Sequence, residues 1–326
     1  MKENYVYANM RIKALENFFL RSSDFDAMLG LASEEEILGY LQSKGWKFFD
    51  SCEKIDRIIK DSEVFLWKFI KEIVGSLDFF DVILLKKDFS NLKAIVRGVL
   101  SDIDVANFLD GLAKYNPDDL YKNVKEQHFD ALPEYMKNTA KDAFSVLLKT
   151  ADACLCDSLI DRGMFEAMKV EGRSVKSRLV SDFVELLCVS ANINIALRSI
   201  NFKRNTRAFL LKALIPCSTF DLDSLIAAAL KGKDCLVLYF DEAVYKGFPA
   251  FVYKDEVENV SNWTDYSIFC ILKKEISKCF GLDPIFAFVL YKYLEFKNLR
   301  LVSKNLKNAE SLDKLRGSLG RIFLKN

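Results

Sequence analysis

The chain has 326 residues, 51% of them hydrophobic and 29% charged, which excludes a mainly disordered state and sets two or three modules as the expectation. Its 47 Lys and Arg against 46 Asp and Glu leave a net charge of +1, so no global field recruits nucleic acid or an anionic membrane. One histidine, His128, removes most imidazole chemistry, and 13 Gly with five Pro supply too few turn residues for a many-stranded β fold.

In chain order, Tyr5–Leu20 reads as a helix, with Tyr5, Ala8, Ile12, Leu15 and Phe19 at spacings of three and four. Ser33-Glu-Glu-Glu36 opens a second helix as a capping box. Further helices are predicted at Asp56–Leu77, Asp81–Leu100, Pro133–Lys149, Ser158–Met168, Val175–Ser199, Asp223–Leu230, Asp265–Cys279 and Pro284–Lys304. Pro133 and Pro284 suit a first helical turn, where the missing N–H costs little. Cys235–Phe240 is the one stretch with the look of a strand. No apolar run approaches the roughly 18–20 residues of a membrane helix; the longest, Ile285–Tyr291, has seven. The expectation is a chain that spans no membrane.

An internal repeat organises these helices. Asp88-Phe-Ser-Asn-Leu-Lys93 and Glu295-Phe-Lys-Asn-Leu-Arg300 share an acid-Phe-x-Asn-Leu-base pattern, and Asn194-Ile-Ala-Leu-Arg198 is a weaker copy. The central Asn91, Asn194 and Asn298 are 103 (194−91) and 104 (298−194) residues apart. Asp161 and Phe165 precede Asn194 by 33 and 29 residues, and Asp265 and Phe269 precede Asn298 by the same intervals; Asp56 lies 35 before Asn91. Pro117 and Pro216 make natural joints. The reading is three helical units, at 1–116, 117–216 and 217–326. Asparagine is a mediocre helix former, so at equivalent mid-helix positions it is expected to bond across helices, either within a unit or to a partner.

The residues that carry chemistry do not assemble. His128 lies in Lys125-Glu-Gln-His-Phe-Asp130 without a nucleophile elbow elsewhere, and G-x-S-x-G and G-x-G-x-x-G are both missing from the sequence. Gly232-Lys233 lacks the other residues of a phosphate loop. The eight cysteines, Cys52, Cys154, Cys156, Cys188, Cys217, Cys235, Cys270 and Cys279, are scattered through apolar stretches with no zinc spacing. Met1 opens a charged segment rather than a signal peptide, so the thiols are expected free and buried in a reducing cytoplasm. No catalytic residue, metal site or cofactor is expected. Phenylalanines at helical spacing, Phe65/Phe69 and Phe286/Phe296, are read as core, with some left for a protein-binding surface.

Tyr7-Ala-Asn-Met-Arg-Ile-Lys-Ala-Leu-Glu16, then Phe25-x-x-Met-Leu29 and Ser33-Glu-Glu-Glu36, resemble the opening of the C subunit (d in eukaryotes) of V-type and archaeal-type rotary ATPases. Asp161-Arg-Gly-Met-Phe165, Phe280-Gly-Leu-Asp-Pro284 and Tyr293-Leu-Glu-Phe-Lys-Asn-Leu-Arg300 continue the likeness, which runs from residue 5 to about 320. Two departures stand out. Ala191 replaces the usual acid three residues before Asn194, which leaves one polar contact open, and Tyr293-Leu-Glu replaces Lys-Glu-x-Glu.

The resemblance implies an all-α fold of three V-shaped units around a pseudo-threefold axis, forming a funnel. It implies a non-catalytic rotor component, peripheral to the membrane on the cytoplasmic side and monomeric when isolated. This component receives the central-stalk subunits (D/F type) and sits on the membrane rotor ring, passing torque between ATP turnover and H⁺ or Na⁺ movement. Candidate partner-binding cations are Arg11, Lys13, Lys93, Arg97, Arg198, Arg300 and Arg316, against the alternative that each is solvated or paired within its own unit. A helical scaffold of an unrelated complex is the competing function.

Overall fold

A computed structural model describes residues 5–46, 54–243 and 258–308. Among the described residues it contains 14 α-helices and no strand, and 79% of it is helical, as the sequence predicts for fold class.

Six of the described helices start on a side chain that satisfies a free amide of the first turn. Helix α1 is Val6–Glu16 and α2 is Ser22–Leu29. Asp24 of α2 accepts from the Arg21 N–H at 2.6 Å. Helix α3, Glu34–Ser43, starts where predicted: Ser33 Oγ accepts from the Glu36 N–H at 3.2 Å. Glu36 reaches back one residue further than a standard capping box, to the Ala32 N–H at 2.9 Å. Ser33→Ala is therefore expected to cost about 1 kcal/mol, read as a lower urea midpoint with an unchanged slope.

Helix α4 is Ile55–Val74 and ends on Gly75, whose φ of +82° suits a residue without a Cβ. Helices α5 (Asp81–Ser101) and α6 (Pro117–Lys125) follow, the latter with Pro117 in its first position and Asn116 accepting from the Asp118 N–H. Then come α7 (Glu134–Thr150), α8 (Ala153–Ser174) and α9 (Arg178–Asn201), with Pro133, Asp152 and Ser177 just ahead of each. The short α10 (Arg207–Ala213) is capped by Thr206, and α11 (Leu222–Lys231) by Asp221. Helix α12 is Lys233–Ala243, α13 is Glu258–Ile276 and α14 is Asp283–Asn308.

The strand-like Cys235–Phe240 is thus helical. Leu236, Val237 and Phe240 are buried while Leu238 is exposed, a helical and not an alternating division, and six residues are too few to show that in the sequence.

The described residues form two compact units: those up to Leu77 with those from Ser261 onward, and Asp78–Val260 between. In the first, α14 packs on α1, α2 and α4. Its core includes Ile12, Phe25, Ile59, Ile70, Phe286 and Phe288. Phe19 lies beyond the end of α1 and stacks on Tyr291 with ring centroids 4.1 Å apart. Glu295 is fully buried, accepting from the Leu20 N–H at 2.7 Å and pairing with Lys292 at 2.6 Å.

In the second unit α7 and α8 form a hairpin joined by Ala151 and Asp152, and α5 packs on α6, α7 and α8. Helix α9 packs on α8, α10, α11 and α12. Its most apolar 18-residue window has a mean hydropathy of 1.5, long and apolar enough by composition to cross a membrane, yet 61% of that window is buried within the fold. Its apolar length is accounted for by the helices on several sides of it.

Candidate functional site

Two of the three repeat helices hold later backbone segments through an asparagine. In α5, Asn91 donates from Nδ2 to the Asp110 carbonyl at 3.0 Å and accepts from the Asp110 N–H at 2.7 Å. In α9 the same two bonds are made by Asn192, to the carbonyl and N–H of Ile215, both at 2.8 Å. Asn194, the residue singled out from the sequence, is half-buried and its Oδ1 has no partner among the described residues. Matching Asn194-Ile-Ala-Leu-Arg198 to the other copies favoured the position with a downstream base and passed over Asn192, two residues earlier. Asn298 in α14 is buried, and its Nδ2 has no partner among the described residues.

Each of these helices also grips a distant backbone amide with a carboxylate. Asp88 accepts from the Tyr115 N–H at 3.0 Å and Glu295 from the Leu20 N–H. The contact left open by Ala191 is supplied by Glu185, which accepts from the Thr219 N–H at 2.7 Å and from its hydroxyl at 2.6 Å. Burial pushes the Glu185 carboxyl up, but the hydrogen bonds from Thr219 and Ser218 outweigh it and hold it below the ordinary range.

The spaced markers pair with lysines. Asp161 binds Lys93 at 2.5 Å and Asp265 binds Lys297 at 2.5 Å. Phe165 and Phe269 are buried beside them in the chain. Arg97 pairs with Asp157 one turn from the Lys93–Asp161 pair, so α5 and α8 run antiparallel along a two-rung ladder. Arg11 bonds Glu72 at 2.6 Å and lies over Phe69 and Tyr7, 4.9 and 5.8 Å from the ring centroids. Lys13 pairs with Glu16 and donates to the Ile276 carbonyl.

Four of the seven candidate cations are therefore engaged within one compact unit, though the Lys93 and Arg97 pairs join residues of 1–116 to residues of 117–216. Arg198 is exposed and Arg300 half-buried, and neither has an ion pair among the described residues. Arg316 lies outside the described residues.

Of the aromatic pairs read as core, Phe69, Phe286 and Phe296 are buried. Phe65 is 68% exposed and stacks on Phe69 with ring centroids 6.4 Å apart. The expectation of buried thiols holds for only two of the seven described cysteines, Cys156 and Cys188; Cys154, Cys235, Cys270 and Cys279 are exposed, since each falls on the outward side of its helix or at its end. All seven are free, and burial pushes the Cys156 thiol up to about 11 and that of Cys188 to about 12, which leaves both as unreactive thiols. His128 lies on an exposed turn, 3.3 Å from Glu126. Among the described residues no three His, Cys, Asp or Glu side chains converge on a metal-binding point.

The family model for the ATP synthase (C/AC39) subunit matches residues 8–315 of this chain. No curated protein matches it.

Proposed function

Since the chain belongs to the ATP synthase (C/AC39) subunit family, a family of rotary V/A-type ATPase subunits, we propose that it acts as a non-catalytic rotor component, a socket between the central stalk and the membrane ring. The observation that carries this reading is the length of the match, which takes in both compact units. The family is an accessory one, peripheral in a membrane-associated ATPase, with its partners inside that complex.

On this reading the chain passes torque between ATP turnover and H⁺ or Na⁺ movement. The D/F-type stalk subunits and the rotor ring are its partners. The three repeats at 1–116, 117–216 and 217–326 and their funnel arrangement belong to the same proposal. Long helices joined by buried carboxylate and amide contacts support it, because close-packed interiors have low compressibility and transmit strain. Arg198 and Arg300 are the described candidate cations still available to a partner. The other four described ones already hold helices together.

The test is capture of purified stalk and ring subunits by the full chain. The wild type is expected to retain them, and Arg198→Glu combined with Arg300→Glu to weaken stalk binding at least about tenfold, the loss expected for rim charges across a complementary surface, while thermal unfolding stays unchanged. Undiminished binding by the double variant rejects those two residues. A wild type that captures neither partner rejects the rotor reading and leaves a scaffold of another complex.

A further inference from the structure

Between Asp110 and Asn116 the chain crosses α5 as a strap without a helix of its own. Four side chains of α5 hold it. Asn91 takes both backbone groups of Asp110, and Lys87 bonds the Asp110 carboxylate at 2.5 Å. Asp81 pairs with Lys114, and Asp88 accepts from the Tyr115 N–H.

Three of these anchors are satisfied. Asp88 is not: it is 0% exposed, and its second oxygen, Oδ2, is buried without a hydrogen-bond partner among the described residues. An ionised carboxylate normally accepts bonds on both oxygens, and a buried charge with one oxygen orphaned is costly. Burial pushes this carboxyl up to about 6, against the pull of the Tyr115 and Lys114 amides and the Lys114 ammonium, with Asp81 pushing the same way as burial.

The charged and titratable groups around it lie on α5, the strap, α7 and α8. They are Asp81 on α5, Lys114 and Tyr115 on the strap, Tyr135 on α7 with its hydroxyl 2.8 Å from that of Tyr115, and Glu171 on α8, which acts on Lys114 and Tyr135. Asp88 is the member of this set with an unfilled oxygen.

We propose that the 110–116 strap is a proton-coupled latch, closed on α5 while Asp88 is neutral and loosened when Asp88 ionises. With the strap open, Asp88 regains water and the ordinary carboxylate value of about 3.9. The closed state therefore binds the proton more tightly. The stabilisation of closure is complete below about pH 4 and is lost as pH rises through about 6. This latch stands apart from the rotor reading, since it needs no partner.

Hydrogen exchange on the full chain tests it. Protection of the Tyr115 amide, corrected for intrinsic exchange, is expected to fall about tenfold between pH 5 and pH 7.5 in the wild type. In Asp88→Asn it is expected to stay flat over that range, because the amide keeps the acceptor for Tyr115 and has no proton to lose. The Val96 and Ile160 amides, on α5 and α8, should keep their protection throughout. Equal falls in both proteins, or no fall in the wild type, overturn the proposal. So does a loss of protection at Val96 and Ile160 in step with Tyr115, a comparison that the wild type supplies even if the variant does not fold.

Discussion

Asn192→Leu is expected to destabilise the protein by about 2–6 kcal/mol, with two orphaned backbone groups at about 1–3 kcal/mol each. Asn192 and Ile215 are both fully buried, and the amide supplies the donor and the acceptor that Ile215 needs. Leucine keeps the branched shape but its two methyl groups are larger than the amide oxygen and nitrogen, so some overpacking adds to the lost hydrogen bonds. The control is Asn194→Leu in the same helix. Its Oδ1 already lacks a partner, so that change is expected to be neutral or mildly stabilising. Urea unfolding of both variants separates them. A larger loss at Asn194 than at Asn192 would reverse the assignment of the repeat residue and restore the even spacing read from the sequence.

The second large effect is expected at Gly163, where α8 crosses α7. A Cβ there would lie 2.2 Å from Thr139 Oγ1 and 2.6 Å from Thr139 Cγ2. Thr139 Cβ itself would lie 2.9 Å away, and no χ1 rotation moves it, so the clash is not fully relieved by a rotamer change. Gly163→Ala gains up to about 1 kcal/mol of helix propensity, but overpacking of this kind costs about 1–3 kcal/mol, and more for a larger residue. The net result is a less stable protein, and Gly163→Leu should be worse. Thr139→Ala removes both of the closest atoms and should rescue part of the loss, giving a coupling energy of about 1 kcal/mol in a double-mutant cycle. Additive losses would mean that the two helices separate instead of clashing.

Gly163 shows how much of the structure the sequence carried. It stands inside Asp161-Arg-Gly-Met-Phe165, and a mid-helix glycine signals a close approach, but nothing local names Thr139 as the neighbour. The long helices α4, α5, α7, α8, α9 and α14 were legible because an apolar stripe repeats over several turns. Helices α2, α6 and α10 have only seven to nine residues, so caps more than periodicity define them. The candidate cations were legible as charges but not as pairs. Whether Lys93 meets Asp161 or solvent depends on how α5 and α8 cross, 68 residues apart in the chain. The same holds for Glu185, which stands in for the acid missing at Ala191 from two turns away.

The division of the chain between the two units bears on how it is made. Residues 78–260 are continuous, so that unit has all its parts once Val260 has left the ribosome. The other unit joins the two ends of the described chain. Among the described helices α1 to α4 emerge before the others, but the apolar surface of Ile12, Phe25, Ile59 and Ile70 is buried with the help of α14, the last of them in chain order. At about 5–20 residues per second the intervening unit takes on the order of 10–40 s to translate. Throughout that interval helices α1 to α4 wait without α14, and they are the natural clients of a chaperone.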